Sequence, residues 1–480
     1  MQDTILILSR DTEAAAMIAH TLRWRQLYCT IVSPASSMEV LMGYQPRGMV
    51  LVGDQVFDEL DPQVLSSGIP LLALGEAAVR LCALYGGGSE ERKVPQEVLM
   101  LSLSQHPLFD SCLSGERRLN GFSPLLLSQQ LEALVHAGDD CIAFRHQEKN
   151  HFGVQYPIER HDPDGAQLLS NFAQQICGCT ESWNTDIIID DCLDLIRRET
   201  EDCDHVICAV SGGVDSTVCA RLASLAVGSR LRCIFIDTGF FHENEPQQII
   251  DDFSSHMGID VRYVDARERF LEAIGGVSND LKKDQAVSEL IGDLILETLR
   301  GYGDKSALLL GTNFNDLLES ITSADATSAA APLPCPVVEP LKKLFKDEVR
   351  RLAQSLQLPA SFAGRQSFPA AGLASRIFGE VTEKRLNVLR HAEACFADEI
   401  VETGVDRKLR KFYAVLLQSP ETPGAYSILL RALQSGRTNA SARLPFDLLE
   451  RVTERILKEI PCVSRVVYDL TPSQYFGEME

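Results

Sequence analysis

Residues 206–218, Val-Ile-Cys-Ala-Val-Ser-Gly-Gly-Val-Asp-Ser-Thr-Val, constrain the fold of this chain more than any other stretch. The run Val206–Val210 has the β-branched content of a buried parallel strand, and the run from Thr217 has a helix's apolar spacing. Between them lies the turn Ser211-Gly212-Gly213-Val214-Asp215-Ser216. Glycines let the backbone approach a ligand closely, and the amides that open a helix point at whatever sits in front of them. Such a turn binds phosphate. Asp215 beside an anion would repel it unless a divalent cation bridges the two, so the turn implies a metal. The string lacks the Lys of the other common phosphate loop and the Gly-x-Gly-x-x-Gly spacing of dinucleotide folds.

At 480 residues the chain is too long for one ordinary core, and two or three domains are expected. Lys and Arg total 45 against 67 Asp and Glu, a net charge of −22. That sign argues against a nucleic-acid polymer or an acidic membrane as main partner. A nucleotide would then be met by a few placed cations, a metal and helix N-termini. The fourteen cysteines are scattered, and Cys208, Cys219 and Cys233 sit inside apolar elements, as reduced buried thiols in a reducing compartment do. Cys177-Gly178-Cys179 has no partner pair, so a zinc site there is not expected. No apolar run approaches the length of a membrane span, and the first residues carry no signal core. The expected location is cytoplasmic.

Strands alternate with helical stretches, so the expected fold class is α/β: two doubly wound parallel-sheet domains followed by a small α+β domain. In the first unit the strands are Ile5–Leu8, Cys29–Val32, Met49–Val52 and Pro70–Leu74, with a helix over Asp11–Arg23. A helix over Ile187–Arg198 precedes the polar break Glu199–Asp204. The second unit adds strands Leu231–Ile236, Asp260–Val264 and Ser306–Leu310, with helices at Arg267–Ile274 and Asp284–Arg300. The third has helices over Val381–Ile400 and Pro445–Glu459 and strands at Lys411–Leu417 and Ser464–Leu470. Expected domains are residues 1–190, 191–365 and 366–480. The Ala/Thr/Ser stretch Ala324–Ala331 reads as a loop.

The phosphate loop resembles that of the ATP pyrophosphatases, which adenylate an oxygen and then displace AMP with nitrogen or sulfur. With its three units in this order, the chain resembles the GMP synthase family from end to end. Phe152-Gly153-Val154-Gln155-Tyr156 and Leu168 to Cys179 look like the end of that family's class I glutamine amidotransferase domain. Arg269-Phe270-Leu271, Gly311-Thr312, Asp316, Glu319-Ser320, Glu339-Pro340-Leu341 and Lys346 to Arg350 look like its synthetase core. Arg443 to Arg451 and Val466-Val467-Tyr468-Asp469 look like its dimerisation domain. The resemblance implies a ligase of purine biosynthesis that uses ATP and Mg²⁺. It also implies a small-molecule, nucleotide acceptor and a homodimer.

By that resemblance Ser211, Gly212, Gly213, Val214, Asp215, Ser216, Thr217, Asp237 and Gly311 bind ATP. Asp215 holds the metal, and Asp215 and Lys346 are the catalytic pair, with Lys346 at the leaving pyrophosphate. Arg365, Arg376, Asp316 and Glu319 fall on the acceptor side. From the residues alone, Asp237 equally reads as the cap of the following turn, Asp316 as a helix cap, and Lys346 as a surface cation near Asp347.

The pattern also breaks. The amidotransferase reaction needs a Cys on a sharp strand-to-helix turn, with a His and a Glu. The alignment puts Gly75 where the Cys belongs and Pro157 where the His belongs, with Glu159 at the Glu. Cys82 falls one helical stretch too late. The expectation is a silent glutaminase and ammonia from a separate source. The family's Lys-Ser-His-His-Asn-Val-Gly-Gly segment has no counterpart in Ile321–Val337, and the C-terminus is rebuilt. Three functions stay open: an ammonia-dependent GMP-synthase-like ligase, the same adenylation on another acceptor, and an ATP-binding protein without turnover.

Overall fold

The computed structural model describes residues 3–90, 97–112, 115–119, 122–155, 163–313, 335–359, 362, 370–419, 424–434 and 440–471. They form two compact units, Met1–Asp190 and Asp191–Glu480.

In the first unit the strands are β1 (Thr4–Ser9), β2 (Cys29–Val32), β3 (Pro46–Val52), β4 (Leu71–Leu74), β5 (Gly88–Ser89), β6 (Glu97–Leu103), β7 (Gly115–Leu119), β8 (Leu125–Leu126), β9 (Leu131–Ala137), β10 (Asp140–His146) and β11 (His151–Val154). Nine of them make one sheet in the order β2-β1-β3-β4-β11-β10-β9-β6-β7. The first five run parallel, including all four strands expected from sequence. Their apolar runs reflect burial on both faces: Ile5, Leu6, Ile7 and Leu8 are all fully buried. Period two splits them. Leu6 and Leu8 share a cluster with Ala77, Ala78 and Leu81 of the helix Glu76–Leu84, while Ile5 and Ile7 face the other way. Beyond β11 the sheet turns antiparallel, so the doubly wound half carries a meander that alternation in the sequence did not announce.

The second unit begins with β12 (His205–Ala209), β13 (Leu231–Asp237), β14 (Val261–Asp265), β15 (Ser306–Leu309) and β16 (Val337–Val338). They form a wholly parallel sheet in the order β14-β13-β12-β15-β16. The chain leaves β12 toward β13 and β14, then returns to its other side as β15. That reversal opens a crevice beyond the carboxyl ends of β12 and β15, where open α/β sheets bind ligands. A second sheet follows: β17 (Leu409–Gln418) antiparallel to β18 (Tyr426–Gln434), which runs parallel to β19 (Val463–Tyr468). Helices Glu383–Glu402 and Phe446–Glu459 pack on it. One apolar core joins the two sheets, from Ile207 and Ile234 through Phe270 and Leu389 to Leu430 and Val463.

Candidate nucleotide site

At the switch point, β12 ends at Ala209 and the helix Val214–Val227 begins five residues later. Gly213 is the N-cap and offers no side chain, so the amides of the first turn are not closed off by a capping group. Gly212 takes φ +76°, a conformation that suits glycine. The two serine hydroxyls lie 3.1 Å apart across the loop, and the Ser211 amide donates to Ser216 Oγ at 3.2 Å. Thr217 turns its hydroxyl inward to Gly213 O at 2.8 Å and is fully buried, a structural role. The loop is therefore held by its own side chains while its outer face stays exposed.

Two distant segments meet it. Gly311, just past β15, comes so close that a Cβ there would stand 3.0 Å from the backbone of Asp215 and Ser216. A side chain there would force that backbone to give by a few tenths of an ångström. Lys346, first residue of the helix Lys346–Ser355, pairs its ammonium with the Asp215 carboxylate. Asp347 pairs with Arg351 at 3.4 Å. Asp215, Lys346 and Gly311, spread over more than a hundred residues, are gathered at one point.

Asp237 closes β13 and is buried; its carboxylate accepts from the Gly239 amide at 2.8 Å and from the Tyr263 hydroxyl at 2.6 Å. It caps the turn, and it also lines a cavity of about 1200 Å³. Phe240, Phe241, His242, Arg267 and Arg390 share that lining. Burial, then the bond to Asp237, pushes the Tyr263 phenol up to about 12, so it remains a donor. Arg390 donates to Phe241 O at 2.9 Å and also to Gly239 O, and burial pulls its guanidinium below the ordinary value. Neither Tyr263 nor Arg390 was singled out from the sequence. Each acts through a contact across the fold, for which spacing carries no signal.

Arg376 is buried, ion-paired with Glu393 at 2.5 Å and placed 4.7 Å over the Tyr413 ring. His242 meets the same Glu393 at 3.2 Å. Arg376 thus meets the helix Glu383–Glu402 through Glu393 and the strand β17 through Tyr413. Asp316, Glu319, Arg365, Pro157, Glu159 and the Ala324–Ala331 stretch lie outside the described residues.

In the first unit Gly75 is the single residue between β4 and the helix Glu76–Leu84, at φ +59° and ψ −127°. This is a sharp strand-to-helix turn in a conformation that strains any residue with a Cβ. Its amide donates to Val154 O at 2.9 Å, which ties the turn to β11. Cys82 is two turns on and fully buried, and burial raises its thiol. None of the fourteen cysteines forms a disulfide, and eleven of them are buried. Among the described residues no helix is long and apolar enough to cross a membrane.

Residues 398–475 match the family described as GMP synthase C terminal domain. Glutamine-hydrolyzing GMP synthases are among the curated relatives. The protein of Crocosphaera subtropica is 34% identical over 97% of this chain and 93% of its own length. That of Carboxydothermus hydrogenoformans is 32% identical over 98% of both. A solved structure of a putative GMP synthase subunit from Thermoplasma acidophilum covers 37% of this chain and 95% of its own at 18% identity and TM-score 0.32. At a third of positions identical over nearly its full length, the chain belongs to the GMP synthase family.

Proposed function

We propose that the chain is an ATP-dependent ligase of GMP synthesis that adenylates a nucleotide oxygen and takes ammonia from outside its own first unit. The reading rests on the meeting of Asp215, Lys346 and Gly311 at the Ser211–Thr217 loop. Family membership supplies the reaction class, XMP to GMP with ATP.

In this reading the first-turn amides and the Ser211 and Ser216 hydroxyls hold the polyphosphate, and the nucleoside lies toward the cavity that opens at Asp237. Asp215, a hard oxygen donor at an anion site, fits a magnesium ion, which would neutralise phosphate charge. Lys346 then leaves Asp215 and stabilises the departing pyrophosphate. The acceptor oxygen bonds to the α-phosphorus as the bond to pyrophosphate breaks. Ammonia next bonds to the activated carbon, AMP departs, and a proton passes to solvent.

The external ammonia source is supported by Gly75, which has no side chain to attack glutamine. A homodimer and a separate glutaminase partner complete the reading. Pyrophosphate release from Mg–ATP with ammonium, measured with and without XMP, tests it. Release that requires XMP and is not driven by glutamine is expected. Release with another acceptor alone favours the same adenylation on a different substrate, which the missing basic segment in Ile321–Val337 would accommodate. Glutamate formed from glutamine overturns the silent first unit.

A further inference from the structure

Away from the loop, two helices bring a thiol, an imidazole and a carboxylate together. His391 and Cys395 stand four residues apart on the helix Glu383–Glu402 and therefore share a face. Glu459, last residue of the helix Phe446–Glu459, reaches them from the neighbouring helix. His391 Nε2 lies 2.8 Å from Glu459 Oε2, and Cys395 Sγ lies 3.6 Å from the same oxygen. One ligand atom from each residue lies within 4.8 Å of the other two.

We infer that His391, Cys395 and Glu459 form a site for a zinc-class divalent ion. Four-coordinate zinc with sulfur, nitrogen and oxygen ligands needs donor atoms about 3.3–3.7 Å apart, close to the spacing already present. A thiolate, an imidazole and a carboxylate together favour zinc or cobalt over the hard ions magnesium and calcium. Arg455 supplies the outer support. It donates to Glu459 Oε1 at 3.1 Å and to Asp398 at 2.8 Å, fixing the carboxylate while leaving Oε2 aimed at the other two ligands. Charge also closes: thiolate and carboxylate balance the dication, and Asp398 balances Arg455. Cys395 is fully buried, whereas His391 and Glu459 are partly exposed, so solvent has access for a fourth ligand. Binding releases the Cys395 thiol proton to solvent and leaves His391 with its one ring proton on Nδ1. The ion pins the two helices together beside the cavity that His391 also lines.

The test is a titration of the full chain, freed of metal by chelation, with Co²⁺ alone. One equivalent should give the intense visible bands of a four-coordinate site and a near-ultraviolet thiolate-to-cobalt band, and Zn²⁺ should displace it. Cys395→Ser should remove the thiolate band. His391→Ala, a change on the surface that leaves packing intact, should weaken binding at least about tenfold, and Arg455→Gln roughly 10–100-fold. Zn²⁺ should raise the melting temperature of the wild type and not of His391→Ala. Absence of the thiolate band in the wild type, its persistence in Cys395→Ser, or Co²⁺ affinity in His391→Ala equal to that of the wild type, overturns the site.

Discussion

Asp215 and Lys346 carry opposite charges beside the proposed phosphate loop, and each has a separate consequence. Asp215→Asn keeps the shape and removes the carboxylate proposed to hold magnesium, so pyrophosphate release should fall about 100–1,000-fold. Lys346→Ala should lower the rate similarly while leaving nucleotide binding weaker but measurable, as equilibrium binding would show. Gly75 makes the opposite kind of prediction. Gly75→Cys restores a thiol at the turn but forces a Cβ into a left-handed conformation, a cost of about 1–3 kcal/mol. Glutaminase assay should detect no glutamate if, as the proposed reading has it, Pro157 replaces the proton-shuttling His, and thermal melts should show the loss of stability. At this scale the sequence was informative where residues adjoin, as in Ser211–Thr217. It was silent where they meet across the fold. Nothing local to Tyr263 points to Asp237, and nothing local to Arg390 points to the carbonyls of Gly239 and Phe241.

Among the elements, β12, β13 and β15 of the second unit and β1, β3 and β4 of the first were legible because both faces are buried, leaving continuous apolar runs. Strands β9, β10 and β18 were not. β9 reads Leu-Glu-Ala-Leu-Val-His-Ala, and β18 hides a fully buried Arg431 paired with Asp469, so neither shows clean alternation. The meeting of the β15 end with the loop rests on Gly311. Gly311→Ala should cost about 1–3 kcal/mol and weaken ATP binding roughly tenfold, measured by melting and by nucleotide titration. At the start of β11, His151 Nδ1 shares a hydrogen bond with the Tyr85 hydroxyl at 2.6 Å. Burial, with Lys149 adding to it, holds His151 down to about 4 from an ordinary 6.5. The unfolded chain therefore takes up a proton that the fold refuses between those values. This contribution to stability is full above pH 6.5 and is lost as pH falls toward about 4. Urea midpoints should drop across that window, and His151→Gln should shrink the drop.

For the whole molecule, the division at Asp190 and Asp191 falls within the helix Thr185–Glu199, whose first amides are capped by Asn184 Oδ1 at 3.1 Å. A chain started at Asn184 keeps that cap, and its ammonium-dependent pyrophosphate release should equal that of the full chain. Loss of the activity would show that the first unit contributes to the synthetase reaction itself. The apolar core that runs from Ile207 to Val463 has a further result. Strands that share one interior come apart together, so occupancy of the Ser211–Thr217 loop protects backbone that never touches nucleotide. At a hundredfold excess over Kd the protection is about 2.7 kcal/mol. It should appear as slower protease cleavage and slower amide exchange in β17 and β18, making the far sheet a reporter of what the loop holds.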